Sequence, residues 1–217
     1  MRGLSVTFVL AGLTLAGVAG CASPNPDLFT LAAVPGAAQP LRARTVELRR
    51  VGLAAYLDRP EIVRSDAQYR LQVSSTDRWG EPMGSMLERV FTEDLVQRLP
   101  NSSVFSESGA ISTRPDLVLE VDVQRLDANA SGDIVLLAQV AIQHQDSERS
   151  AAATQVRLTV HSASVKTTDL VAAMSAGLGQ LADEVVHKLA DNSPQVAAPA
   201  PVSGRSKHGR RAGARSG

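Results

Sequence analysis

Cysteine is nearly missing from this 217-residue chain: Cys21 is the only one. No disulfide can form within the chain, and with no second thiol or neighbouring histidine Cys21 has no ligand set for a metal. Aromatic residues make up 3%, too few for the stacking platform that single-stranded nucleic acids require, so no nucleic-acid partner is expected. Valine, leucine and alanine must fill the core instead, and burial of their apolar surface must supply the stability. Also missing are the Gly-x-Ser-x-Gly elbow of a hydrolase and the Gly-x-x-x-x-Gly-Lys-Ser/Thr loop that cradles nucleotide phosphates. An enzyme is not expected, nor a bound cofactor or metal.

What the chain does have begins at its N-terminus. Arg2 supplies a positive charge, Leu4 to Val18 are uncharged and largely apolar, and Val18-Ala19-Gly20 place small residues before Cys21. This is the layout of an export signal. The run is short for a bilayer span, which needs about 20 apolar residues, and Gly12 and Gly17 interrupt it. A cysteine at the cleavage point is the mark of the bacterial lipoprotein type, in which the thiol takes a diacylglycerol. Residues 1–20 are therefore read as a lipoprotein signal peptide, Cys21 as the lipidated residue, and 21–27, with two prolines and an Asn, as a tether. One acyl chain binds reversibly, whereas two or three hold the protein in the membrane. Ala22 is not the Asp that retains lipoproteins at the inner membrane in the best-known sorting rule, so the expected address is the periplasmic side of the outer membrane.

The formal net charge of +0 hides an asymmetry. Arg205, Lys207, Arg210, Arg211 and Arg215 crowd the C-terminus, and Arg2 lies in the signal. Residues 21–204 keep 16 basic groups against all 22 acidic ones. From residue 192 on, Pro, Ala, Ser, Gly and Arg dominate with no apolar period, so 192–217 is read as a disordered basic tail. It is a candidate for attraction to anionic headgroups or other polyanions.

Between tether and tail, length allows one domain, 28–191. Leu28–Val34 and Thr45–Leu53 read as strands, and two short strands are expected between Tyr56 and Trp79. Met83, Met86, Leu87, Val90, Phe91, Leu95 and Leu99 recur every three or four residues, predicting a helix over 81–99 that opens at Pro82. Alternation over 115–126, 134–143 and 154–163 predicts an antiparallel meander. Thr167-Thr168-Asp169 is expected to cap a last helix reaching about Asp191, with Gly177 and Gly179 allowing either close packing or a bend. The fold class is α+β: a mixed, largely antiparallel sheet with two main amphipathic helices packed on one face.

Tyr56-Leu57-Asp58-Arg59-Pro60-Glu61-Ile62-Val63, followed by Trp79-Gly80-Glu81-Pro82 at the helix entrance, resembles the ABC-type transport auxiliary lipoprotein family. The resemblance runs from Cys21 to about Asp191. It departs in the first strand, where the family's Tyr-x-Leu is replaced by Leu28-Phe29-Thr30-Leu31, and in the extra tail after Ser203. It implies a lipid-anchored, non-catalytic docking subunit, homo-oligomeric, whose partner is the MCE-domain protein of an ABC transporter that moves lipids, phospholipid among them, across the envelope. The competing function is an outer-membrane assembly lipoprotein serving another envelope machine.

Leu57, Asp58, Arg59 and Pro60 admit two readings: a stiffened turn, or a contact surface for a partner. Trp79 likewise either covers the end of the sheet or anchors an interface. The four histidines, His144, His161, His187 and His208, are far apart in sequence and are expected at the surface. Glu120 and Asp122 fall on the wet side of an amphipathic strand. Glu93-Asp94 and Asp183-Glu184 are expected on solvated helix faces.

Overall fold

The computed structural model describes residues 25–66, 69–145 and 153–192. The element order is β1 (Asp27–Phe29), β2 (Thr45–Leu48), β3 (Gly52–Leu53), β4 (Glu61–Ser65), β5 (Leu71–Trp79), α1 (Met83–Arg98), β6 (Ser103–Ser106), β7 (Leu117–Ala128), β8 (Ile134–His144), β9 (Thr154–Val160) and α2 (Thr167–Asn192). The expected α+β class holds, and the nine strands form one mixed sheet.

β7 is the spine of that sheet. Along one edge it pairs antiparallel with β8 from Leu117↔His144 to Ala128↔Ile134, and β8 continues the meander into β9. Along its other edge three short strands dock in series, all parallel: β2 at Val46↔Leu117, β3 at Gly52↔Asp122 and β4 at Arg64↔Ala128. β6 lies beyond β2, and β5 then β1 lie beyond β4. The predicted strand over Thr45–Leu53 is thus two pieces. Both pair with β7, but the chain leaves the ladder after Leu48 and rejoins it at Gly52. There Gly52 admits the Asp122 carboxylate, whose Oδ1 would lie 2.5 Å from an added Cβ.

Alternation along β7 puts Leu117, Leu119, Val121 and Val123 in the core and Glu120 and Asp122 in solvent. A register shift between Val123 and Arg125 then resets the phase, so that Leu126 and Ala128 again face inward. Without the extra residue, the two-residue period would carry Leu126 and Ala128 to the wet face.

Both helices pack on the inward face. The α1 stripe of Met83, Met86, Leu87, Val90, Phe91 and Leu95 and the α2 stripe of Leu170, Met174, Leu178, Leu181, Val185 and Leu189 belong to one core with the inner residues of β7 and β8. Pro82 is the N-cap of α1, and no side chain caps this end. At α2 the Thr167 hydroxyl does not cap its own helix; it donates to Asp77 Oδ2 of β5 at 2.5 Å. That bond, with help from Thr76 and Ser74 and against some burial, holds the Asp77 carboxyl below its usual range. Gly177 meets Val160 and Leu136 at ordinary contact distances of 3.6 and 3.7 Å. Gly179 is a closer approach, with Val34 Cβ 3.0 Å from where a Cβ would stand.

The strand expected over Leu28–Val34 stops at Phe29. Residues 30–39 leave the sheet and cross the outside of the two helices as a strap. Its amides find side chains rather than a ladder: Leu31 N–H donates to Met86 Sδ at 3.3 Å, Ala32 N–H to Ser175 Oγ at 3.2 Å and Val34 N–H to Asp94 Oδ1 at 2.8 Å. Leu31 is 1% exposed. Burying one side chain of this kind stabilises by about 2 kcal/mol, which adds to these amide partners in holding a segment that has lost its sheet partners.

Candidate functional site

The segment singled out in the sequence forms a corner between β3 and β4. Leu57 N–H donates to Ala54 O and Arg59 N–H to Leu57 O, both at 2.9 Å, closing a tight turn. Pro60 O accepts the Trp79 N–H at 2.7 Å, so the structure brings the Leu57–Pro60 turn and Trp79 together. Leu57 and Trp79 are buried in the common core. Asp58, Arg59 and Pro60 are exposed, with Arg59 Nε 3.5 Å from Glu61 Oε2. What this corner can offer a partner is therefore a polar rim over an apolar root.

Tyr56 fixes the root. Its hydroxyl donates to Asp127 Oδ2 at 2.6 Å, and Arg125 Nη2 holds the other oxygen at 2.9 Å. Burial, then the bond to Asp127, pushes the Tyr56 phenol well above its usual range. It stays neutral and acts as a donor. Asp127 is completely buried yet both its oxygens are bonded, as a buried carboxylate requires.

Next to the corner lies an open groove of about 820 Å³, with Arg50, Asp58, Gly84, Ser85, Glu88 and Arg89 on its walls. Glu88 is buried and accepts the Ser108 hydroxyl, while Arg89 pairs with Glu81 before the helix. On the outer sheet face, Glu120 sits 3.4 Å from Arg49 and Asp122 accepts from Gln124, a structural pairing of the carboxylates on the wet side. His161 and His187 are exposed, and His161 Nδ1 lies 2.8 Å from Asp133 Oδ1. Among the described residues no group of three or more His, Cys, Asp or Glu could hold a metal.

One cluster was not foreseen. Asp94 was expected in solvent with Glu93, but it is 0% exposed, and Arg98, one turn on, is 1% exposed. The Arg98 guanidinium donates to Asp183 Oδ1 of α2 at 2.6 Å, to Val34 O of the strap at 2.9 Å and to Gly179 O at 3.0 Å. It touches Asp94 Oδ1 at 3.4 Å. Gly36 lies flat against it, since a Cβ there would fall 2.3 Å from Arg98 Cζ. Arg98 is therefore a pin through the strap and both helices. Asp94 takes the strap amide on one oxygen, but its Oδ2 has no partner. Burial outweighs the Val34 amide and Arg98, and the carboxyl is raised to about 6. The signal was present in the sequence: residues 87, 91, 94 and 98 keep helical spacing, so both charges fall on the apolar stripe of α1.

Cys21, most of the tether, His208 and the basic tail lie outside the described residues. No helix among the described residues is long and apolar enough to cross a membrane.

The chain matches the model of the ABC-type transport auxiliary lipoprotein component family over residues 29–186. No curated protein matches it. Among solved structures it is similar to an uncharacterized protein at 14% identity, covering 76% of this chain and 99% of that one, with a TM-score of 0.64. It is also similar to a DUF330 protein from Xanthomonas campestris at 20% identity, covering 77% and 95%, with a TM-score of 0.62. Both likenesses concern the fold.

Proposed function

Because this chain belongs to the ABC-type transport auxiliary lipoprotein family, we propose that it serves an MCE-type ABC transporter as a docking subunit that performs no chemistry. The observation that carries this reading is the family match across nearly the whole folded domain, residues 29–186. Cys21 holds the subunit at the periplasmic face of the outer membrane through its acyl chains. The exposed Asp58-Arg59-Pro60 rim meets the MCE-domain protein or a neighbouring copy in a homo-oligomer, while buried Leu57 and Trp79 keep that rim rigid. A pre-formed rim loses little conformational entropy on binding. The cargo is phospholipid, delivered through the assembled complex.

Cross-linking the lipidated protein in envelope membranes tests this. An MCE-domain protein is the expected product, lost when Asp58 and Arg59 are both replaced by alanine. Capture of a β-barrel assembly or lipopolysaccharide component in its place would overturn the reading in favour of an assembly lipoprotein.

A further inference from the structure

Among the described residues, the outer edge of β5 is unpaired over most of its length. β1 covers Asp77 to Trp79, in the parallel register Asp27↔Asp77, Leu28↔Arg78 and Phe29↔Trp79. Beyond Asp27 the pairing ends, since Pro26 has no N–H to give to a ladder. On its other side β5 also departs from β4: between the pairs Glu61↔Arg78 and Val63↔Val73 a single β4 residue faces four of β5. Residues 71–76 therefore carry no strand on their outer edge among the described residues. They also hold apolar side chains in solvent, with Leu71 46% and Val73 43% exposed. Tyr69, just before them, is fully exposed, and Leu28 on β1 is 67% exposed.

Two features point to what covers this edge. Because β1 is parallel to β5, β1 traced back from Phe29 to Asp27 runs the same way as β5 traced back from Trp79, toward the Leu71 end of β5. Asp27 is six residue steps from Cys21, at most about 20 Å of chain. Asp77 is likewise six steps from Leu71, at most about 20 Å. A tether that keeps the direction of β1 would set the acyl chains of the proposed anchor within reach of the exposed end of β5. The second feature is composition. An aromatic with a polar tip, two aliphatic side chains and the exposed Arg78, with Arg70 paired to Asp66 at 3.0 Å beside them, are the residue types that settle into an anionic headgroup layer.

We infer that Tyr69, Leu71 and Val73 seat the edge of β5 in the phospholipid surface to which the lipid anchor ties the chain. The inference rests on the proposed lipidation of Cys21. It makes the anchor and the sheet edge two points of one attachment, which fixes how the domain stands on the membrane and where its Asp58-Arg59-Pro60 rim is presented. A firm anchor on a short linker raises the effective concentration of a weak second contact at the same surface.

The full-length lipidated protein carrying Leu71→Cys, reconstituted into phosphatidylethanolamine and phosphatidylglycerol vesicles and labelled with a polarity-sensitive thiol probe, tests this. A lipidated Cys21 has no free thiol, so the label reports position 71 alone. Emission should shift to the blue and be lost when a nitroxide-bearing lipid is added. The same probe at Val96→Cys, on an exposed position of α1, should show neither effect. A probe at 71 that behaves like the one at 96 overturns this inference and leaves the anchor standing. Labelling of the parent protein at Cys21 defeats the anchor, and this inference with it.

Discussion

Arg98 and Asp94 show what a buried charge does when it is only partly matched. Arg98 has a carboxylate and three carbonyl oxygens within 3.1 Å, so its charge is well compensated. Replacing it with alanine leaves Asp94 buried without a cation and the Val34 and Gly179 carbonyls without donors. Loss of about 3 kcal/mol or more is expected, read as a fall in the urea midpoint. Asp94 is the opposite case. Its folded pKa is raised from 3.8 to about 6, so the folded state binds a proton that the unfolded chain has released. The resulting stability is present below about pH 4 and is lost as pH rises through about 6, at up to about 1.4 kcal/mol per pH unit. Asp94→Asn keeps an acceptor for Val34 N–H and should flatten this slope between pH 4 and 7. Parallel slopes for the two proteins would show that other groups cause it. The pair was legible only by phase: a charged residue on an apolar stripe signals a buried partner, but the partner came from α2 and from strap carbonyls, and no local pattern announces those.

The elements were legible where their period was long. Both helices and the meander β7–β8–β9 follow from alternation and helical spacing sustained over seven residues or more. The extent of the first strand was not, because Thr30-Leu31-Ala32-Ala33-Val34 has the composition of a strand whether it pairs in a sheet or lies across helices. What decides is tertiary: Met86, Ser175 and Asp94 offer its amides the partners that β5 does not. Gly177 and Gly179 separate the two packing modes of α2. Gly177→Ala meets only ordinary contacts and should stabilise by up to about 1 kcal/mol through helix propensity. Gly179→Ala drives a methyl against Val34 at 3.0 Å and crowds Arg98 at 3.4 Å. It should destabilise despite the same propensity gain, and thermal melting of the two variants should move in opposite directions. The Asp58-Arg59-Pro60 rim was legible as a turn from its sequence, while the burial of Leu57 and Trp79 followed from how that turn stacks on the end of the sheet.

For the whole molecule, membrane attachment is expected to depend on one sulfur. Cys21→Ser should move the protein from the membrane pellet to the soluble fraction after a carbonate wash, since a protein surface contact alone binds reversibly. Retention in the pellet would contradict lipid anchoring. The series docking along β7 has a further consequence, for the order of events in the proposed export, which would thread the chain N-terminus first. β2, β3 and β4 emerge early, yet the edge they need belongs to residues 117–128. Roughly half the polypeptide must remain without its sheet while the rest is threaded through, and such unpaired strands are prone to joining one another across chains. A chain exported in that order would gain from a holding chaperone until residues 117–128 arrive.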